Sequence, residues 1–168
     1  MQLRPEAYSL NKMPTNEIEK KYNELRKKFK LPEFKDMDFE FEISDLEETN
    51  FLLRVIIRRI AEKLDFYTTM LEETLQPDTS NLYAMHETRH FDEDEKKEMY
   101  DLYRKLMGLN RQTIELSLEH DENSTVDFIN KSLNVWKELK KDLLKFARKM
   151  KESWKTETDI KEDLGYLG

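Results

Sequence analysis

Two of the chain's three histidines fall in one pentapeptide, His86-Glu87-Thr88-Arg89-His90. The spacing H-E-x-x-H is the one zinc hydrolases use. On a helix the two imidazoles share a face and bind the metal, while the glutamate polarises a metal-bound water. A third ligand has to come from elsewhere, and His120, Glu115 or Glu119 can supply it if the chain returns along a following helix. Zinc is the one cofactor these residues suggest, as a hydrolytic centre or as a structural ion. The surroundings favour a different role. The motif lies between a Pro77-Asp78 turn and an Asp92 cap, and off a helix the spacing has no geometric meaning. Arg89 also adds like charge beside a cation. The leading expectation is therefore that no cofactor is bound and that His86 and His90 are cap or loop residues, hydrogen-bonded to backbone or to nearby acids.

Other catalytic patterns fail on residue type. Glu87 and His90 form one Glu-x-x-His pair, but a di-iron bundle needs two, and Ser117 stands where the second glutamate would precede His120. Three glycines so placed cannot build a phosphate-binding loop, and no G-x-S-x-G elbow is present. The absence of cysteine removes disulfides and thiolate metal sites.

Binding surfaces are the remaining chemistry. Residues 36–48 carry seven acids and no base, whereas residues 137–155 carry eight bases against three acids. These blocks are expected to be complementary faces of one fold, or simply solvated faces. A net charge of -7 opposes general affinity for nucleic acid. A basic face with Lys137, Lys141 and Arg148 nonetheless makes a nucleic-acid accessory role the third functional expectation. Phe39 and Phe41, in an acidic stretch, and Tyr166 and Leu167, near the end of the sequence, are candidate contacts for another protein chain.

The elements that must position these residues follow from hydrophobic period. The central one is residues 44–76. It opens on Ser44-x-x-Glu47, a capping-box spacing, and carries Leu53, Ile57, Ile60, Leu64, Tyr67, Leu71 and Leu75 in a stripe of alternating four- and three-residue steps. A shorter helix precedes it, marked by Ile18, Tyr22, Leu25 and Phe29. Two long ones follow, one with Met99, Leu102, Leu106, Leu109, Thr113 and Leu116, the other running from Val126 to Trp154. Asp92 with Glu95 is a second cap pair. Gly108 is expected to mark a close helix crossing, and Asn123 or Ser124 to cap the last helix. In between, Met37, Phe39, Phe41 and Ile43 alternate with polar residues, the period of a strand.

The expected fold is all-α: a small bundle of three long antiparallel helices and a short N-terminal helix, with an extended acidic strap near residues 33–44. Residues 1–155 form one domain, and residues 156–168 a flexible acidic tail. No run has signal-peptide character or the roughly 20 apolar residues that span a bilayer, so a cytoplasmic protein without a membrane partner is expected. The first functional expectation is a non-catalytic interaction or adaptor protein, with homodimerisation favoured by the apolar breadth of the central helix.

Overall fold

A computed structural model describes residues 15–47 and 50–155, and these are all-helical, with no strand among them. Six α-helices follow one another: α1 (Thr15–Lys28), α2 (Phe34–Phe41), α3 (Leu52–Leu75), α4 (Leu82–Thr88), α5 (Glu93–Glu119) and α6 (Glu122–Ser153), with a 3₁₀ turn (Ile43–Asp45) between α2 and α3.

The periodic stripe makes α3 a single unbroken helix, and Leu64 and Leu71 along it are buried. Leu53, Ile57, Ile60, Leu64 and Leu71 form one buried row, and Leu52 and Ile56 widen it. α5 covers the greater part of that surface and α6 a second side, while α4 and α2 close the rest. α3 and α6 both run antiparallel to α5, so they are parallel to each other. The turn from α5 to α6 is two residues long. His120 takes the left-handed conformation (φ 58°) and caps α5, and Asp121 caps α6 by accepting from the Ser124 backbone N–H at 2.7 Å. The last helix thus starts before Asn123, because Asp121 already satisfies its exposed donors. At the other end of α5 the capping box between Asp92 and Glu95 forms in both directions, at 2.8 and 3.0 Å.

Three expectations need correction. The segment with strand-like alternation is helical: α2 buries Phe34, Met37, Glu40 and Phe41 and leaves Phe39 77 % exposed. The physical reason is backbone satisfaction. A lone strand leaves its N–H and C=O groups unpaired, while a helix closes its own. Phe34, Met37 and Phe41 supply the apolar face at steps of three and four. Secondly, α3 starts at Leu52. Ser44 belongs to the 3₁₀ turn, and its N–H donates to Asp38 Oδ1 at 2.7 Å, closing the end of α2. Thirdly, Gly108 is solvent-exposed with nothing within 4 Å of where a Cβ would stand, so it marks no close crossing.

α2 is locked in place by Glu40, which is only 5 % exposed. Its carboxylate accepts from Trp136 Nε1 at 2.8 Å and from Lys140 Nζ at 2.9 and 3.1 Å, both on α6. Lys63 of α3 donates to the Glu40 backbone carbonyl and sits 5.4 Å above the Trp136 ring. Burial by itself raises the Glu40 pKa. The hydrogen bonds from Lys140 and Trp136, with the charges of Lys140 and Lys63, outweigh it and hold the carboxyl below its ordinary value. Burial likewise pushes the Lys63 ammonium down, against the opposing pull of Glu42 and Glu40.

A folded-state pKa below the unfolded value of about 4.3 stabilises the fold above that pH and loses the contribution as pH falls through the lower value. Glu40→Ala strands the buried Trp136 N–H and is expected to cost about 1–3 kcal/mol in urea unfolding at neutral pH. The gap between wild type and Glu40→Gln is expected to shrink as the pH is lowered to about 3. A gap that is constant or widens towards acid would contradict the assignment.

Candidate functional site

The H-E-x-x-H residues sit at the end of the molecule where α4 meets the end of α6. α4 starts with Asn81 as its cap, accepting from the Ala84 N–H. It stops at Thr88, so His86 and Glu87 are helical while Arg89 and His90 lie in the following turn. The two imidazoles are nevertheless close, with ring centroids 4.7 Å apart. Their hydrogen bonds fix their roles. Buried His86 Nε2–H donates to the Ser153 carbonyl at 3.0 Å, and His90 Nδ1–H donates to the His86 carbonyl at 2.9 Å. The Trp154 ring lies 4.4 Å from that of His86, and its Nε1–H donates to Glu87 Oε1 at 2.8 Å. Together these bonds clasp α4 to α6. Thr88 Oγ1 extends the clasp to α3 by donating to the Thr74 carbonyl at 2.8 Å.

The third ligand is not brought near. His90 precedes the 27-residue α5 and His120 follows it, which separates them by roughly 40 Å at 1.5 Å per residue. Glu115 and Glu119 are exposed near that same far end. Among the described residues no three His, Cys, Asp or Glu side chains gather as a metal site.

The two charge blocks face each other, as expected of complementary surfaces. Lys137 pairs with Asp36 at 3.8 Å and Lys140 with Glu40 at 2.9 Å. Farther along α6, Lys145 pairs with Glu98 and Lys149 with Glu95 of α5. The Lys149 ammonium and the Asp92 backbone N–H hold the Glu95 carboxyl below its ordinary value. Lys141 and Arg148 stay solvent-facing on the same helix. Of the aromatic candidates, Phe41 is core, 6.1 Å from Trp136, while exposed Phe39 lies 5.0 Å beneath the Lys140 ammonium. Tyr166 and Leu167 lie outside the described residues.

A further site emerges at the opposite end of the bundle. The start of α3, the end of α5, the start of α6 and one face of α1 enclose a groove of about 500 Å³. Its floor is apolar, from Leu25, Leu52, Leu53, Ile57 and Leu116. Its rim is basic: Lys21, Arg54 and Arg58, with the His120 imidazole nearby. Among the described residues lining it the one acid is Glu122, engaged by Lys28 at 3.1 Å, and Lys21 pairs with Glu24 at 3.7 Å. Arg54 stands 5.2 Å over the Phe51 ring. The apolar surface runs out of the groove onto Phe51 and Ile114, 59 % and 47 % exposed, and Leu118 follows one turn beyond Ile114. The sequence carried a partial signal for this site. Ile114 and Leu118 flank the stripe of α5, and Arg54 and Arg58 lie off the main stripe of α3. Only the fold brings the two sets together.

Removing the indole donor by Trp154→Phe, or the buried imidazole by His86→Ala, is expected to release α4 from α6. Amide exchange over residues 82–91 then accelerates while the middle of α3 stays protected. Stoichiometric zinc is expected to leave the melting temperature unchanged. A rise that disappears in His90→Ala would support a metal site at these histidines.

No protein-family model, no curated protein and no solved structure matches this chain.

Proposed function

We propose that this protein is a non-catalytic interaction module that docks an amphipathic, acidic segment of a protein chain in the groove between α1, α3, α5 and α6. The observation that carries the proposal is the continuity of apolar surface from the groove floor to exposed Phe51 and Ile114 beneath a rim of Lys21, Arg54 and Arg58. Covering an exposed side chain of this kind is worth about 2 kcal/mol, and three or four of them anchor a peptide helix. The surface continues past the groove itself, which suits a helix laid lengthwise better than a small organic anion. The basic rim sets the sign of the partner's charge and gives specificity more than affinity.

Four α6 lysines, Lys137, Lys140, Lys145 and Lys149, are already paired with acids of α2 and α5, which favours the groove over the α6 face as the docking surface. A peptide selection against the immobilised full chain tests it. Enriched peptides are expected to hold apolar residues at helical spacing flanked by Asp or Glu, and to bind at least about tenfold more weakly to Arg58→Glu or Ile114→Asp. Basic peptides, or binding insensitive to both substitutions, would contradict it.

A further inference from the structure

We infer that the segment this groove takes is residues 156–168 of a second copy of the chain, so that two copies exchange their C-terminal segments. The inference rests on the groove's being a docking surface for an acidic amphipathic segment, and adds the occupant's identity. Those residues carry Glu157, Asp159, Glu162 and Asp163 against the single base Lys161. Ile160, Leu164 and Leu167 stand at i, i+4 and i+7, which places three apolar side chains along one face of a helix. Acids on the remaining positions meet the groove's Lys21, Arg54 and Arg58.

Reach decides between the chain's own groove and another copy's. The groove lies at the start of α6, beside Glu122 and Thr125, and the segment departs from the far end, after Lys155. The 32 residues of α6 span roughly 48 Å, whereas thirteen residues span roughly 20 Å as a helix and about 45 Å fully stretched. A helical segment therefore cannot return to its own groove. Two copies lying side by side with α6 antiparallel put each departing segment next to the other's groove. Both contacts then form at once about a two-fold axis, and the assembly closes as a dimer.

Sedimentation of the full chain over a range of concentrations tests this. A reversible dimer is expected, weakened by added salt. Arg54→Glu with Arg58→Glu, or Asp159→Lys with Glu162→Lys and Asp163→Lys, is expected to weaken it about tenfold or more. Arg54 and Arg58 are exposed and the other three positions lie outside the described residues, and circular dichroism checks that each variant keeps its helix. An equimolar mixture of the two variants is expected to associate again, because every segment then meets a groove of opposite charge. A full chain that stays monomeric, or a dimer indifferent to reversal of the groove, would overturn the inference. If an unrelated acidic amphipathic peptide still binds the groove in that case, docking survives and only the identity of the occupant falls. If none binds, both fall.

Discussion

Helix α3 buries nine side chains along 24 residues, and they are spread too far around its circumference for one neighbour to cover. Every other element is placed by that demand. α5 takes the largest share, and the two-residue corner at His120 and Asp121 turns α6 back against a second side. α2 and the 3₁₀ turn fill in with Met37, Phe41 and Ile43, none more than 1 % exposed. At the start of α3 the cover opens into the groove. There Leu52, Leu53 and Ile57 floor the groove, and Phe51 remains exposed beside Arg54 and Arg58. The candidate site is where the bundle runs out of helix to cover its central member.

Electrostatics reinforce this division. Four lysines of α6, Lys137, Lys140, Lys145 and Lys149, are answered by acids of α2 and α5. Pairs exposed at both partners, such as Lys145 with Glu98, contribute little each and are screened by salt. Glu40 differs because its carboxylate is buried and fully bonded by Trp136 and Lys140. Breaking it leaves buried polar groups unpaired, and the penalty for that exceeds the worth of any surface pair. In a chain of net charge -7, the basic rim of the groove is a local exception, and it gives the surface a definite preference in partner.

Long helices were legible in the sequence because their stripes hold one period over many turns, as from Val126 to Trp154. Caps were legible where side chain and spacing agreed, as at Asp92 and Glu95, and misleading at Ser44, whose backbone N–H is claimed by Asp38. The stretch Met37–Phe39–Phe41–Ile43 shows the limit of period alone. So short a stretch satisfies either repeat, and the helix, which closes its own backbone bonds, also sets Glu40 against Trp136, 96 positions away. The histidine pair was visible as chemistry, but its use as a clasp depends on Ser153 and Trp154 arriving from α6. The groove was least legible, since its four walls come from four separate helices. It shows in the sequence only as apolar and basic residues lying off their stripes.

We propose the α1–α3–α5–α6 groove as the surface through which this chain meets another. Methyl spectra of the full chain, labelled at isoleucine and methionine and recorded across concentration, test it most directly. Ile57 and Ile114 are expected to shift together as association proceeds, while Met99, buried near the start of α5, stays fixed. Movement at Met99 with Ile57 and Ile114 unchanged would contradict the claim.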